Sequence, residues 1–316
     1  MALSYPGGRV RQLLEDLTSP LGDGRTFFVT PVSYARSGAF MNSVSGKGPG
    51  YVFTTLSDAF AACEDGRGDV IQLLPGDYQL GSELSLSKSS VTLRGFGSNK
   101  TFIKSTGSGT GSTLIKVTAA SCTIEGIGFR PKATAATTGV LHNAGIRVNF
   151  DVQHTTIKDC SFTIGDEPDD DGRTAGVSIL AGASFTTIDN CYFGGMLFTS
   201  IHMYTYADTE LAYVTIKDCR IGGTNANITH GKGGLTSAVT VAGTISGLSI
   251  SGCMFVPIED AAALSLDDTS SSYEGCSIVN NHFCVDTFNA TEVDVDTAFV
   301  MAGNTTLAGM ATAIPA

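Results

Sequence analysis

The sequence predicts an all-β fold, a parallel β-helix of about seven or eight coils. A five-residue phrase occurs seven times at intervals of 28 to 34 residues, which is typical of a solenoid whose units bury apolar surface only by stacking. The segments between the copies have the pattern of short strands, and none of them has the pattern of a helix. The copies begin at Thr92, Thr123, Thr156, Thr187, Thr215, Ser249 and Ser277.

The fourth position of the phrase predicts a corner between two strands. It is Gly, Asp or Asn in every copy, as in Gly126, Asp159 and Asn190. These residue types enter the left-handed backbone region at low cost. We therefore expect the chain to turn there and to point the fifth side chain inward.

The fifth position and the residue two places beyond it predict two interior ladders. Four consecutive copies have cysteine at the fifth position, namely Cys160, Cys191, Cys219 and Cys253. The phenylalanines two places beyond this position are Phe129, Phe162, Phe193, Phe255 and Phe283. Thiols and rings stacked in register suit the narrow interior of a coil of parallel strands. We expect the thiols to be buried and free, in a protein that folds in a reducing compartment.

A second strand pattern accompanies each copy of the phrase. These segments are 114–117, 145–150, 177–180, 201–206, 239–241, 264–266 and 299–301. Two or three short strands per turn, without a helix between them, indicate a β-helix rather than an α/β fold.

Residues 1–50 are predicted to be an extended N-terminal docking arm, with one short helix near residues 10–17. This segment is rich in proline and glycine and lacks the phrase. Five Lys/Arg against three Asp/Glu give it a charge of +2, whereas the whole chain has a charge of −11. The arginines of the arm are Arg9, Arg11, Arg25 and Arg36.

Residues 51–304 are predicted to form the β-helix, and residues 305–316 a C-terminal tail. The rod is expected to begin with a capping helix near residues 55–64, with a threonine hydroxyl as its N-cap. Such a helix would protect the open strand edges of the first coil. A strand over residues 69–74 and a turn over residues 75–78 are expected to follow.

Composition limits the partners that we expect. A net charge of −11 argues against nucleic acid, because a protein needs a basic surface to displace the counterions of phosphates. No stretch of apolar residues is long enough to span a membrane. The first residues lack the basic region and apolar run of a secretory signal, so we do not expect export by the usual route.

Two runs near the start of the rod carry a resemblance. Thr55–Cys63 and Gly68–Tyr78, combined with the phrases, resemble the pectate-lyase-like right-handed parallel β-helix superfamily over residues 52–304. That superfamily includes polysaccharide lyases, glycoside hydrolases, phage tailspikes and inert virion proteins. With its N-terminal arm, the chain looks most like a bacteriophage virion structural protein, a capsid decoration or a spike. This resemblance implies synthesis in the host cytoplasm, location in the virion, capsid or tail proteins as partners, and a homo-oligomer such as a trimer.

An acidic cluster at residues 166–173 is a candidate calcium site. Carboxylate oxygens are the ligands that calcium prefers, and lyases that resemble this fold use calcium with a basic residue to remove a proton. The order of the carboxylates does not match an EF-hand loop, and a solvated surface turn is the other interpretation. The candidate ligands are Asp166, Asp169 and Asp171.

Four aspartates are candidates for catalysis. Asp151, Asp208 and the pair Asp267 and Asp268 each follow the second strand of a coil and could line one edge of the rod. Alternate coils would place them about 10 Å apart, which suits an inverting glycosidase. Aspartates at strand ends are also common turn formers, so both interpretations remain open.

The remaining signals favour a protein without catalytic activity. The five histidines lie in different coils without metal-ligand spacing, and the chain has no tryptophan to offer to a sugar face. The regular coil length leaves little chain for a deep cleft. Our first hypothesis is therefore a non-enzymatic virion protein; a carbohydrate-active spike, either lyase or hydrolase, and passive binding of a host glycan are the alternatives.

Overall fold

A parallel β-helix forms the body of the chain, as the repeat predicts. A computed structural model describes residues 24–31, 51–106, 113–131, 143–163, 174–194, 199–205, 209–222, 235–239, 244–256, 264–266, 272–284, 293–295, 298–306 and 309–311. Within these residues the strands stack into three long sheets and one short sheet, and one short helix lies between the second and third strands of the chain. No helix in the described part of the chain is long and apolar enough to cross a membrane.

Sheet A contains the recurring phrase. Its strands, in stacking order, are Val52–Phe53, Thr26–Val29, Val70–Leu73, Thr92–Arg94, Thr123–Glu125, Thr156–Lys158, Thr187–Asp189, Thr215–Lys217, Ser249–Ser251, Ser277–Val279 and Val300–Ala302. The register places like residues over one another, for example Thr156 beside Thr187 and Ile157 beside Ile188. Nine of these strands, from Val70–Leu73 onward, follow one another coil by coil, which exceeds the predicted seven or eight.

Sheet B follows the fourth-position corner. Its strands are Gly76–Leu80, Thr101–Ser105, Gly128–Arg130, Ser161–Thr163, Tyr192–Gly194, Arg220–Ile221, Met254–Phe255, His282–Phe283, Asn304–Thr306 and Gly309–Ala311. The last of them pairs antiparallel with Asn304–Thr306. This short strand ends the parallel stacking of sheet B and is its edge strand in the described residues.

Sheet C forms the third side of the coils, and sheet D adds a short fourth strand to three of them. Sheet C consists of Leu84–Leu86, Ile115–Val117, Asn143–Val148, Thr174–Leu180, Thr199–Thr205, Leu235–Val239, Leu264–Leu266 and Val293–Val295. Sheet D consists of Glu210–Ala212, Thr244–Ser246 and Ser272–Glu274. Most of the predicted second strands lie in sheet C, although the strand expected at 239–241 is found at Leu235–Val239.

The strand predicted at 299–301 belongs to a different sheet. Val300–Ala302 pairs with Ser277–Val279 in sheet A, and Gly303 follows it with a φ of 66°. These residues form an eighth copy of the phrase. The prediction was wrong because this copy has neither a hydroxyl residue at its first position nor Leu or Ile at its second.

The fourth-position corners have the predicted left-handed backbone in six of the seven copies. The φ angles of Gly126, Asp159, Asn190, Asp218, Gly252 and Asn280 lie between 47° and 67°. Gly95 is the exception, and the first residue with a positive φ after it is Gly97. A side chain on Gly95 would clash with the carbonyl oxygen of Gly126, so this glycine is required for close approach of two coils.

The interior contains both predicted ladders. The rings of Phe129, Phe162 and Phe193 stack with centroids 5.2 and 4.7 Å apart, and Phe255 stacks on Phe283 at 4.7 Å. The cysteines are free in the described residues, and all but Cys284 are buried. The expectation of buried, free thiols is therefore confirmed for the ladder.

A continuous file of hydrogen bonds runs through the fifth position of the phrase. Its members are Cys160, Cys191, Cys219, Cys253, Asn281 and Asn304. Each donates to the carbonyl oxygen of the second phrase position one coil earlier, as in Cys191 Sγ to Ile157 at 3.7 Å and Asn281 Nδ2 to Ile250 at 3.0 Å. Asn281 Oδ1 also accepts from the backbone N–H of Cys253 at 2.8 Å. Cysteine and asparagine thus fill one structural role, with asparagine making the stronger bonds.

The capping helix extends over Leu56–Ala62. Thr55 is its N-cap, and its hydroxyl oxygen accepts the backbone N–H of Asp58 at 3.1 Å, as the hydroxyl pattern predicts. Leu56, Ala59 and Phe60 are buried against the first coils. The turn predicted over residues 75–78 is limited to a bend at Pro75, where the chain passes from sheet A to sheet B, and Gly76–Leu80 is already a strand.

Part of the predicted N-terminal arm is built into the rod. Thr26–Val29 lies between Val52–Phe53 and Val70–Leu73 in sheet A, and all four of its residues are buried. The described residues 24–31 therefore belong to the fold rather than to a free arm. Arg9, Arg11 and Arg36 lie outside the described residues, whereas Arg25 is exposed at the start of this strand.

Candidate functional site

Of the predicted catalytic residues, the structure describes only Asp151. It is exposed, its φ is 58°, and its carboxylate lies over Gly182 of the next coil. Its backbone N–H donates to the carbonyl oxygen of Ala181 at 3.2 Å. Asp151 thus occupies a turn position between stacked coils, while Asp208, Asp267 and Asp268 lie outside the described residues.

The predicted calcium ligands Asp166, Asp169 and Asp171 also lie outside the described residues. Within the described part of the chain, no three His, Cys, Asp or Glu side chains are close enough to hold a metal ion together. The calcium site therefore stays a prediction.

The third phrase position carries alternating charges along the outer face of sheet A. Lys158 Nζ lies 2.6 Å from Glu125 Oε2, Arg94 pairs with the other oxygen of Glu125, and Lys217 pairs with Asp189 at 2.9 Å. Burial would raise the pKa of the Glu125 carboxyl, but the hydrogen bonds from Lys158 and Arg94 hold its pKa below the ordinary value. This carboxylate stays ionised and joins three coils, so it is a poor proton donor.

A second carboxylate joins the N-terminal strand to the rod. Asp69 is fully buried and accepts a bidentate pair from Arg67 at 2.6 and 2.7 Å. It also accepts the backbone N–H groups of Arg25 at 2.8 Å and Glu64 at 2.7 Å. Burial alone would raise the pKa of Asp69, but these donors lower it below the ordinary value.

The buried thiols of the rod are poor nucleophiles. Burial raises the pKa of Cys63 to about 12 and that of Cys122 to about 11, and it raises the pKa of Cys191 well above its ordinary value. A thiolate is the nucleophilic form of cysteine. These three residues therefore contribute packing and weak hydrogen bonds rather than nucleophilic chemistry.

Sheet C buries a polar pair. His202 is 1% exposed and lies in register beside Ser178, which is fully buried. The two ring nitrogens of His202 have no hydrogen-bond partner in the structure. The Ser178 hydroxyl has none either. Burial lowers the pKa of His202 to about 4, so the imidazole is neutral near pH 7. No hydrogen bond joins the two side chains, so they do not form a nucleophile and base pair.

A cleft of about 520 Å³ lies beside the start of the capping helix. Its lining is mostly hydroxyl and small side chains, with Asp77 as its charged group. The Asp77 carboxylate is paired with Lys104 at 2.7 Å. The cleft therefore lacks the pair of free carboxylates that hydrolysis of a glycosidic bond requires among its described lining residues.

An exposed strip of rings lies at the corner that precedes the phrase. We call His154, Phe185 and Tyr213 the ring strip. The centroids of His154 and Phe185 are 4.7 Å apart with planes inclined by 14°, and those of Phe185 and Tyr213 are 4.8 Å apart with planes inclined by 11°. Phe185 is 45% exposed and Tyr213 is 56% exposed. The rings form one offset stack across three consecutive coils.

The ring strip has an unusual backbone. The residues of this corner, in coil order, are Ser90, Ser121, His154, Phe185, Tyr213, Gly247 and Gly275, with φ angles between 54° and 61°. Serine and glycine suit this conformation better than bulky residues, for which a positive φ is uncommon. The three rings therefore stand at strained positions.

The sequence reading missed the ring strip, although a signal was present. Each of these residues stands two places before the first residue of the phrase, so His154, Phe185 and Tyr213 share the coil spacing. The signal is weak because residue type varies along this corner. The histidines lack metal-ligand spacing and the chain has no tryptophan, so these two observations do not point to His154, Phe185 and Tyr213.

Comparison with known proteins supports the fold. A rhamnogalacturonan lyase superposes with a TM-score of 0.50 at 14% identity, covering 92% of this chain and 90% of that one. A pectate lyase from Bacillus sp. N165, in complex with trigalacturonate, superposes with a TM-score of 0.50 at 12% identity, covering 92% and 85%. No family model and no curated protein matches the chain. The chain shares the parallel β-helix fold of these lyases, and at these identities the likeness extends to the fold alone.

Proposed function

We propose that this chain is a non-enzymatic structural protein of a bacteriophage virion, a β-helical capsid decoration or spike. The observation that carries the proposal is the structural use of the ionisable groups in the described coils. Glu125 and Asp69 are ion-paired, Asp151 forms a turn, and the thiols are buried. These groups hold coils together, which is what a rigid rod requires.

Attachment to the virion is assigned to the N-terminal segment. The strand Thr26–Val29 fixes this segment to the first coils of the rod through sheet A. Arg9, Arg11 and Arg36 give it basic character, whereas the rest of the chain is acidic, with a charge of −13 for a total of −11 and +2 in residues 1–50. The partners in this proposal are capsid or tail proteins, and the rod assembles with copies of itself, as a trimer along its axis. Free thiols agree with synthesis in a host cytoplasm before lysis.

The test is removal of residues 1–23, a cut that leaves the buried strand Thr26–Val29 in place. We expect the shortened chain to remain folded by circular dichroism and to lose co-sedimentation with particles of the phage. The matched variant carries Arg9→Glu and Arg11→Glu in the full chain, and it should weaken particle binding without a change in melting temperature. Equal particle binding by the full and shortened chains would refute the docking proposal.

The alternative proposal is a carbohydrate-active spike that degrades a host surface polysaccharide. Asp208, Asp267 and Asp268 would supply its acids, and calcium held by the cluster at 166–173 would make it sensitive to a chelator. It predicts release of sugar fragments and loss of that release on Asp267→Asn or Asp268→Asn. The alternative has less support, because the described Asp151 serves as a turn residue.

A further inference from the structure

We propose that the ring strip of His154, Phe185 and Tyr213 is a binding site for a linear, neutral glycan that runs along the axis of the rod. The proposal goes beyond the structural role proposed above. It assigns a ligand to one narrow surface of the described coils.

The backbone at these positions is the first argument. His154, Phe185 and Tyr213 have φ angles of 57°, 54° and 54°, in a region where Ser121 and Gly247 continue the same corner in the adjacent coils. About half of the Phe185 and Tyr213 surfaces stay in water, so burial of these rings does little to offset the strained backbone. Bulky residues in a strained and exposed backbone conformation are typical of ligand-binding sites.

The geometry of the stack is the second argument. Centroid distances of 4.7 and 4.8 Å with nearly parallel planes mean that the rings overlap with an offset, since rings in direct face contact would lie closer. About half of the surfaces of Phe185 and Tyr213 is open to solvent beside the stack. A chain of sugars along the axis meets one such apolar surface at every coil.

The residues beside the ring strip favour a glycan over a second protein copy. Thr156, Thr187 and Thr215 run parallel to the strip, two residues further along each coil, and are partly exposed. Hydroxyl groups beside a row of rings match the polar rim and apolar faces of a sugar. A protein interface would need a broad apolar core, whereas this strip is one residue wide.

The charges near the strip favour a neutral glycan. The two lysines on the outer face of sheet A in these coils, Lys158 and Lys217, are already paired with Glu125 and Asp189. An acidic sugar would therefore compete with carboxylates for these cations. The chain as a whole is also strongly acidic.

The strip has defined ends. A Cβ atom on Gly247 would lie 2.8 Å from Tyr213 Cδ1, so the Tyr213 ring rests on this glycine. At the other end, the corner residue of the preceding coil is Ser121. We therefore expect affinity to rise with the number of sugar units until the three rings are covered and to change little beyond that length.

The experiment compares the full chain with Phe185→Ser, Tyr213→Ser and the double variant on a printed array of plant and microbial glycans. Serine is the matched replacement, because Ser90 and Ser121 occupy the same corner with φ angles of 59° and 60°. Tyr192→Ser is the control, since Tyr192 is an exposed ring, 41% exposed, on sheet B and away from the strip. Glycans bound by the full chain are then titrated by calorimetry as oligosaccharides of two to six units.

We expect a neutral linear glycan to bind, each single variant to weaken its affinity by about tenfold, and Tyr192→Ser to leave the affinity unchanged. Melting temperatures should stay equal or rise in the serine variants. The proposal is overturned if the double variant binds the array as strongly as the full chain does, or if neither protein binds any glycan on it. It is also overturned if sedimentation velocity shows that the double variant changes the oligomeric state, which would make the strip a subunit interface.

Discussion

The buried imidazole of His202 makes the stability of the rod depend on pH, beginning near pH 6.5, above the range in which carboxylates titrate. Burial lowers the pKa of this side chain from about 6.5 in the unfolded chain to about 4 in the folded chain. Between these values the unfolded chain binds the proton and the folded chain does not, so stability falls as the pH falls. The contribution of His202 to the free energy of unfolding should drop by about 2 kcal/mol between pH 7 and pH 5, and by about 3 kcal/mol in full.

The assay is urea unfolding of the intact chain and of His202→Phe at pH 7 and pH 5, with reducing agent present. Phenylalanine is also aromatic and lacks the two ring nitrogens that have no hydrogen-bond partner in His202. The variant should therefore be as stable as the intact chain, or more stable, at pH 7. The free energy of unfolding of the variant minus that of the intact chain should be about 2 kcal/mol larger at pH 5 than at pH 7. An equal loss of stability in both proteins would refute the buried, neutral state of His202.

Three further predictions concern the interior and the N-terminal strand. Cys191→Asn should cost less than about 2 kcal/mol, because Asn281 fills the same position with good hydrogen bonds, whereas Cys191→Asp buries a charge and should cost several kcal/mol or prevent folding. Equal unfolding midpoints for these two variants would contradict the inward assignment. Phe193→Ala should cost about 3 to 5 kcal/mol in urea unfolding, since it opens a gap in the phenylalanine stack, and a cost below about 1 kcal/mol would contradict that packing. Asp69→Asn should lower the free energy of unfolding by about 2 to 3 kcal/mol near pH 7, and the difference from the intact chain should shrink at acid pH as the native carboxylate is protonated. A difference that is independent of pH would show that the charge of Asp69 is not what stabilises the strand.

The sequence predicted the fold because the repeat states the same physical requirement in every coil. A corner that needs a left-handed residue, followed by an inward position, restricts residue type strongly, and Asp159 and Cys160 satisfy both restrictions. The aromatic stack was predictable for the same reason. Equivalent positions of successive coils lie over one another and form a column of side chains. Such a column can be recognised in the sequence where it accepts few residue types.

Other features were not predictable because their requirement is not local. Thr26–Val29 pairs with Val70–Leu73, more than forty residues away, and no copy of the phrase marks it. The last phrase, at Val300–Ala302, lacks the typical residues at its first two positions. Asp69 begins the predicted strand at 69–74, but its structural role depends on Arg67 and the backbone N–H of Arg25, which converge on its carboxylate in the folded chain.

The candidate site was the least predictable part. Asp151 follows a strand, as expected for either a turn former or an acid, and only its φ of 58° and its contact with Gly182 identify its place in the corner. The ring strip was hidden because the same column holds serine, histidine, phenylalanine, tyrosine and glycine. A column with so many residue types has no recognisable repeat pattern.

The most direct test of the central claim is whether the chain cleaves sugar. The purified chain is incubated with polysaccharide from the surface of the host, with and without calcium, and reducing ends and unsaturated products are measured over time. The account predicts no release above that of a heat-denatured sample, even where the polysaccharide binds. Release that is abolished by Asp267→Asn or Asp268→Asn, and kept by Phe185→Ser, would contradict a structural role and identify an enzyme.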